Sequence, residues 1–254
     1  MQHTTKAVLT GHSRGLGAAI AEKLLELGIP VLAVSRKTNP GLATRFPDLL
    51  LERTLDLTDS AALAGWLDSP ESKDFCAGAQ TLLLINNAGM LGPIGPLDSQ
   101  APGDVARAVS VNVATPLMIA AALAGLHRGE LRILHISSGA ARSAYAGWSL
   151  YCATKAALDH HARAVAADGR TNLRICSLAP GVVDTDMQTE VRSTTEDRFP
   201  MLKKFEKMKR EGLLASPEAT AGKIVAYLLG NTFGETPTSD VRELGELGSH
   251  ARDR

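Results

Sequence analysis

The chain has 254 residues, of which 44% are hydrophobic, and its 27 Lys and Arg side chains balance 27 Asp and Glu side chains. This length suits one large domain or at most two small ones. The balanced charge argues against a nucleic-acid-binding or membrane-surface protein, because no overall positive field would attract phosphates.

The apolar runs and the first residues of the chain bear on its location. The longest apolar runs, such as residues 81–85, are strand-sized and short of the roughly 20 residues that cross a bilayer. The N-terminus runs into a strand-like segment without a charged-then-apolar leader, so we expect a cytoplasmic protein without a membrane partner. Cys76, Cys152 and Cys176 match neither a metal motif nor a disulfide framework, and we expect small buried thiols.

Short apolar runs alternate with longer helical patterns along the chain. The predicted strands are residues 6–10, 30–35, 49–57, 81–86, 131–138 and 172–180, and the predicted helices are 15–28, 60–69, 103–126, 149–168 and 217–230. Strands that are apolar throughout indicate a sheet covered on both faces. The repeated alternation predicts one doubly wound parallel sheet, in which ligands bind outside the carboxyl ends of the strands.

A glycine-rich turn follows the first predicted strand. Gly11, Gly15 and Gly17 have the spacing G-x-x-x-G-x-G, which permits a sharp turn and a close approach of backbone. The helix that follows would offer free amides and a partial positive charge to a diphosphate. Glycine-rich turns are common, and the position of this one after the first strand is what favours a nucleotide site.

The second predicted strand ends in Val34-Ser35-Arg36-Lys37, without an acidic residue. A carboxylate there would bind both ribose hydroxyls of NAD, whereas Arg36 would attract a 2′-phosphate. Arg14, in the glycine turn, could approach the same phosphate. The pattern therefore favours NADP(H) over NAD(H), although Lys37 is equally explained as a solvated loop cation.

Polar residues also follow the third and fourth predicted strands. Asp56 could accept from the adenine amino group with Leu57 against the ring, or it could be a helix N-cap or turn acid. Residues 86–89, Asn-Asn-Ala-Gly, could hold neighbouring backbone beside a nucleotide, or they could form a plain turn.

The fifth strand and the helix after it carry three side chains suited to carbonyl chemistry. Ser138 ends the strand, and Tyr151 and Lys155 share one face of a helix because they are four residues apart. A nearby lysine would lower the pKa of the tyrosine, and a serine hydroxyl can hydrogen-bond a carbonyl oxygen. This set suits a carbonyl that accepts hydride and develops negative charge on its oxygen.

Together these residues resemble the short-chain dehydrogenase/reductase family from about residue 6 to about residue 240. The shared motifs are T-G-x-x-x-G-x-G (10–17), N-N-A-G (86–89), the asparagine of S-V-N-V (110–113), Ser138, Y-C-A-T-K (151–155) and P-G (180–181). The resemblance implies an α/β fold in which residues 1–254 form a single Rossmann-type domain. Its sheet would have seven mostly parallel strands, with helices on both faces.

The resemblance also implies a role for each site residue. Tyr151 would be the acid/base residue, Lys155 would hold the nicotinamide ribose and lower the tyrosine pKa, and Ser138 would position the carbonyl. Asn112 would hold a water that links Lys155 to solvent. The residues implied to bind NADP(H) are Gly11, Ser13, Arg14, Gly15, Leu16, Gly17, Arg36, Asp56, Leu57, Asn87, Ala88, Gly89, Tyr151, Lys155, Pro180, Gly181, Val183 and Thr185.

Two segments of the sequence limit the choice of substrate class. Residues 147–155 and 179–188 are similar to sepiapterin reductases and to bacterial reductases of benzil-type diketones. This similarity implies an NADPH-dependent reductase of small aromatic ketones or vicinal dicarbonyls, with a substrate lid around residues 190–215. Tyr145 and Trp148 could form aromatic walls. Asp240 lies where sepiapterin reductases carry the acid that anchors the pterin, although related reductases that bind no pterin often have an acid there too.

Two other functions stay open at this point. A 3-oxoacyl-thioester reductase would use the same chemistry, and the basic run of residues 203–210 would favour it. A nucleotide-sensing protein would be expected to have lost Tyr151 or Lys155, and both are present. The resemblance favours a homodimer or homotetramer built partly on helices 103–126 and 149–168. A metal site is not expected, since the adjacent His160 and His161 would point about 100° apart on a helix.

Overall fold

The computed structural model describes residues 5–244, which contain a seven-stranded sheet. The strands are β1 (Thr5–Thr10), β2 (Val31–Ser35), β3 (Leu50–Thr54), β4 (Thr81–Asn86), β5 (Glu130–Ile136), β6 (Leu173–Ala179) and β7 (Thr238–Asp240). Their order across the sheet is β3-β2-β1-β4-β5-β6-β7, and every neighbouring pair is parallel. The predicted doubly wound parallel sheet is therefore confirmed, and the order reverses beside β1, where such folds bind ligands.

Helices cover both faces of this sheet. They are α1 (Gly15–Glu26), α2 (Pro40–Arg45), α3 (Ser60–Leu67), α4 (Pro70–Cys76), α5 (Pro102–Val109), α6 (Thr115–Leu126), α7 (Ser149–Ala167), α8 (Asp186–Arg192), α9 (Leu202–Arg210) and α10 (Pro217–Leu229). Leu24 of α1 and Ile224 of α10 are buried on one face, and Trp66 of α3 and Ile119 of α6 on the other. Burial on both faces explains why β2, for example, is entirely apolar or small.

Three helices were not among the predicted elements, namely α2, α4 and α8. They have six or seven residues, too few to show a clear apolar stripe. Their start signals are nevertheless local, because the side chains of Asn39 and Ser69 cap α2 and α4, and a proline follows each cap. Predicted strand 49–57 is shorter than expected and ends at Thr54.

We expected no stretch long and apolar enough to approach a membrane span, but the continuous helical segment Pro102–Leu126 is one. Its 25 residues and mean hydropathy of 1.8 meet the length and composition needed to cross a bilayer. That match is a weak indication, since core helices meet the same criteria, and Ile119 and Leu123 of this segment are buried inside the fold.

Candidate active site

The predicted site residues lie where strands end. Gly11 follows β1, Asn87 follows β4, Ser138 closely follows β5 and Pro180 follows β6. Because all these strands run parallel, their carboxyl ends share one edge of the sheet. The fold thereby brings together residues that lie more than 160 positions apart in the sequence.

The glycine turn needs its glycines for two different reasons. Gly11 and Gly15 have φ values of 77° and 56°, a backbone region that side chains with a Cβ rarely adopt. At Gly17 the reason is space, because a Cβ there would lie 2.0 Å from the carbonyl oxygen of Gly11. A side chain at position 17 would therefore push the turn away from α1.

Thr10 and Asn87 hold the glycine turn against the loop after β4. The Thr10 hydroxyl oxygen accepts from the backbone N–H groups of Asn87 and Ala88, at 3.1 and 3.0 Å. The Asn87 side-chain amide donates to the carbonyls of Thr10 and Gly11, at 3.1 and 3.0 Å. This mutual bonding fixes two backbone segments at the switch point of the sheet.

The N-terminus of α1 is suited to an anion. Arg14 is the N-cap residue of α1, and its side chain makes no capping hydrogen bond to the helix. Within the part of the chain that the structure describes, the first turn of α1 contains no acidic residue. The first amides of α1 are therefore available, and the helix dipole favours negative charge there. Thr185 lies against the same turn, since a Cβ on Gly15 would be 3.3 Å from its methyl carbon. The turn thus fits the diphosphate of a dinucleotide.

Of the side chains predicted to surround the adenosine, Arg36 is exposed, whereas Arg14 and Asp56 already have partners within the chain. Arg36 is exposed at the end of β2, whereas Arg14 pairs with Asp186 of α8 at 2.7 Å instead of reaching towards Arg36. The Arg14–Asp186 pair is well exposed, so it contributes little stability. Asp56 accepts from the backbone N–H and hydroxyl of Thr58, both at 3.0 Å, as a turn acid does. The Thr58 amide lowers the pKa of Asp56, and Arg36 adds to this effect.

One buried pair beside the glycine turn was not singled out from the sequence. His12 is 1% exposed, and its Nε2 lies 2.6 Å from Oε1 of Glu52 on β3. The same oxygen accepts from the backbone N–H of Asn39 at 2.6 Å. Glu52 thus ties the glycine turn to the loop that follows Arg36. The three residues are too far apart in sequence for any local motif to predict this contact.

Tyr151 and Lys155 lie on one buried face of α7, as their spacing predicts. Lys155 Nζ donates to the carbonyl of Ile136 at 2.8 Å and lies 5.7 Å from the centre of the Tyr151 ring. The Ser138 side chain lies close enough to the Tyr151 hydroxyl to affect the pKa of that group. The phenol, the ammonium and the serine therefore meet at the end of β5.

Burial governs the protonation of this group. It raises the pKa of Tyr151 to about 12, against the opposing effect of the nearby Ser138 side chain. Burial also lowers the pKa of Lys155 to about 8, opposed by the negative charge of Asp159. The tyrosine pKa is therefore raised and not lowered as expected, because the loss of water on burial outweighs the effect of Ser138. At neutral pH the phenol keeps its proton and most of the lysine is charged.

Asn112 lies in a π-helical turn, Ser110–Ala114, that joins α5 to α6. Its Oδ1 accepts from Met90 N–H at 2.9 Å, and its Nδ2 donates to Met90 O at 2.8 Å and Thr154 Oγ1 at 3.2 Å. A Cβ on Gly89 would be 3.4 Å from Asn112 Oδ1 and 3.6 Å from Lys155 Nζ. The Asn112 amide and the Lys155 ammonium therefore both lie beside Gly89, and the π turn that holds Asn112 is a distortion of the kind frequent at functional sites.

An apolar cluster covers Tyr151. Trp148 stacks on Phe199 with ring centres 4.4 Å apart and planes at 14°, and it meets the Tyr151 ring edge-on at 5.6 Å. Met187 Sδ lies 4.0 Å from the Tyr151 hydroxyl. Tyr145, a predicted wall residue, lies 5.4 Å from Trp148. Phe199, which the sequence did not single out, is the fully buried centre of this cover.

The remaining predicted residues lie along β6, β7 and the segment after β6. Gly181 has a φ of 75°, and Val183 is buried and bridges to Ala215 near α10. Asp240 is 2% exposed, and its two oxygens accept from the Arg242 guanidinium, each at 2.7 Å. The carboxylate considered as a pterin anchor therefore already has a cationic partner within the chain.

Comparisons with known proteins agree on one family. A family model described as short chain dehydrogenase matches residues 5–196. Benzil reductase ((S)-benzoin forming) of Bacillus cereus is 33% identical over 249 residues, which cover 94% of this chain and 98% of that protein. Sepiapterin reductase of Mus musculus is 34% identical over 243 residues, which cover 89% and 92%. The crystal structure of a short-chain dehydrogenase/reductase from Burkholderia vietnamiensis is 49% identical, with a TM-score of 0.70, and covers 96% of this chain and 100% of that one.

Proposed function

Because the chain belongs to the short-chain dehydrogenase/reductase family of oxidoreductases, whose members bind a nicotinamide cofactor, we propose that it is an NADPH-dependent carbonyl reductase of small aromatic ketones or vicinal dicarbonyls. The observation that carries the proposal is the meeting of the Tyr151 hydroxyl, Ser138 and Lys155 beneath an aromatic cover. Similarity to reductases named for benzil and sepiapterin supports a carbonyl substrate.

The chain's own residues would move the proton of this reaction. The bound nicotinamide would supply the hydride that the carbonyl carbon accepts. Tyr151 donates its proton to the carbonyl oxygen, which Ser138 orients by a hydrogen bond. The phenolate that remains is stabilised by the Lys155 ammonium until a proton returns from solvent by way of Lys155 and Asn112.

The protonation states support reduction at neutral pH. A proton donor must hold its proton before the reaction, and burial keeps Tyr151 neutral by raising its pKa to about 12. The positive charge of Lys155 favours the phenolate only after the transfer, when negative charge has formed.

The preference for NADPH rests on the end of β2. No acidic side chain ends this strand, and Arg36 is exposed there, free to bind a 2′-phosphate. Asp56 lies near enough to Arg36 to be affected by its charge. The carboxylate is nevertheless held by Thr58, so it leaves the guanidinium available.

A diketone fits the substrate side better than a pterin. The cover over Tyr151 is built from flat aromatic rings, which would pack against the phenyl groups of a benzil-type substrate. A pterin would need a free carboxylate for its amino group, whereas Asp240 is engaged by Arg242 on both oxygens.

The proposed activity is tested by following NADPH oxidation with benzil, sepiapterin and an acetoacetyl thioester as separate substrates. We expect kcat/KM to be highest for benzil, because both of its carbonyls adjoin apolar rings that match the cover. Turnover of the thioester alone would identify a 3-oxoacyl-thioester reductase. Binding of NADPH without turnover of any of the three would contradict the proposal.

A further inference from the structure

A buried carboxylate lies one helical turn beyond Lys155 on α7. Tyr151, Lys155 and Asp159 are four residues apart, so they form one stripe along the helix with successive steps of about 6 Å. Asp159 is 1% exposed. An acid is rarely buried to this degree without partners that offset the loss of water.

Both oxygens of Asp159 are hydrogen-bonded. Oδ1 accepts from the hydroxyl of Ser137 at 2.7 Å and from that of Ser177 on β6 at 2.8 Å. Oδ2 accepts from Arg142 Nε at 3.1 Å, and Arg142 Nη2 donates to Ser239 O on β7 at 2.9 Å. One carboxylate thus joins α7 directly to β6 and to the residue after β5, and it reaches β7 through Arg142.

The same stripe of α7 lies against three consecutive residues at the end of β5, Ile136 to Ser138. Lys155 donates to the carbonyl of Ile136 and Asp159 accepts from the hydroxyl of Ser137, while the Tyr151 hydroxyl lies close enough to Ser138 for that residue to affect its pKa. The Asp159 contact lies directly beside the residue that would orient the carbonyl. Arg142, four positions after Ser138, fixes the other side of the turn.

Asp159 also affects the charge of Lys155, although the cation that it pairs with directly is Arg142. The attraction of Asp159 opposes the fall that burial causes in the pKa of Lys155. The other titratable groups around the two side chains are Tyr151, Arg142, His135 on β5, Cys176 on β6 and Asp240 on β7. Burial lowers the pKa of His135 to about 3 and raises that of Cys176 to about 11, so both are neutral near pH 7. Asp240 is paired with Arg242.

We propose that Asp159 is a positioning residue for carbonyl reduction, which fixes the strand end that carries Ser138 and supplies the buried counter-charge for Lys155. The proposal rests on the reductase function proposed above and deepens it. It concerns a residue outside the Tyr-x-x-x-Lys motif that acts through Lys155 and Ser138.

Two substitutions should move the titration of Lys155 in opposite directions. Asp159→Asn removes the counter-charge, so the pKa of Lys155 falls, and activity is lost about one pH unit lower as pH rises. Arg142→Met removes a cation that shares the carboxylate, so the pKa of Lys155 rises and the same loss moves to higher pH. Ser177→Ala is the control, because it removes one hydrogen bond from Asp159 but no charge.

The measurements are the pH profile of kcat and an NMR titration of isotope-labelled lysine in the cofactor-free protein, with the Lys155 signal assigned by its loss in Lys155→Arg. Opposite displacements in the two variants, with none in Ser177→Ala, would support the proposal. An unmoved Lys155 titration in Asp159→Asn, or parallel losses of stability alone, would overturn it. If Asp159→Asn fails to fold, an unmoved or lowered titration in Arg142→Met overturns it instead.

The NMR titration separates this proposal from the proposed function. Opposite displacements of Lys155 in a protein that reduces no carbonyl would remove the reductase function and keep the counter-charge role of Asp159. If the unaltered protein reduces a carbonyl but the Lys155 titration does not shift in either variant, the reductase function stands and the counter-charge role of Asp159 is overturned.

Discussion

The cofactor preference depends on single side chains at the end of β2. Arg36 and Lys37 are adjacent and both exposed. Arg36 follows Ser35, whose carbonyl accepts from the backbone N–H of Leu55 at 2.9 Å, so the end of β2 lies beside the loop after β3. A planar guanidinium binds phosphate oxygens in pairs, which an ammonium cannot do.

Arg36→Ala should weaken NADPH much more than NADH. A charge-assisted hydrogen bond contributes about 1.5–3 kcal/mol, so we expect the Kd for NADPH to rise about 10-fold to 100-fold. The Kd for NADH should stay within about twofold, because NADH lacks the 2′-phosphate. Fluorescence titration of both cofactors measures this, with Lys37→Ala as the matched control. An equal loss for both cofactors would show that Arg36 does not contact the phosphate.

At the scale of elements, the segment α8–α9 forms the cover of the site. Its apolar cluster contains Val191, Phe199, Leu202 and Phe205, which pack on Trp148. Lys203, Lys204 and Lys207, on the opposite side of α9, are exposed, and Lys203 pairs with Glu196. The basic run is thus the solvated face of an amphipathic helix whose apolar side packs into the cover.

Phe199→Leu should affect the substrate and leave the cofactor unchanged. The substitution keeps an apolar side chain but removes the stacking on Trp148, which aromatic pairs stabilise by about 0.5–1.5 kcal/mol. We expect the KM for benzil to rise about threefold to tenfold, with the Kd for NADPH unchanged. Phe233→Leu, an equally buried phenylalanine in the core beside α10, is the control. An equal rise in KM for both variants would indicate a general loss of stability.

At the scale of the whole molecule, the sheet order determines which residues meet. Apolar runs and short spacings are properties of neighbouring residues. They were enough to predict the parallel sheet, the helix 149–168 and the polar residues that follow each strand. The pairing of His12 with Glu52 and the contacts of Asp159 could not be predicted, because each joins elements distant in sequence. The π turn at Asn112 and the raised pKa of Tyr151 depend on tertiary packing and on the exclusion of water.

Two further predictions concern the oligomeric state of the protein and its location in the cell. The predicted homodimer or homotetramer and the predicted cytoplasmic location stay predictions. The helices proposed for the assembly, α5–α6 and α7, also carry Asn112, Tyr151 and Lys155. An interface on their outer faces would therefore lie behind the candidate active site.

The central claim is that the Tyr151 hydroxyl supplies the proton, and the most direct test is Tyr151→Phe with benzil and NADPH. A positioned general acid contributes about 10²–10⁴-fold to rate, so we predict that kcat falls by at least about 100-fold. The ring stays in place, so the Kd for NADPH should change by no more than about threefold. Turnover within tenfold of the unaltered protein, with NADPH bound normally, would contradict the account.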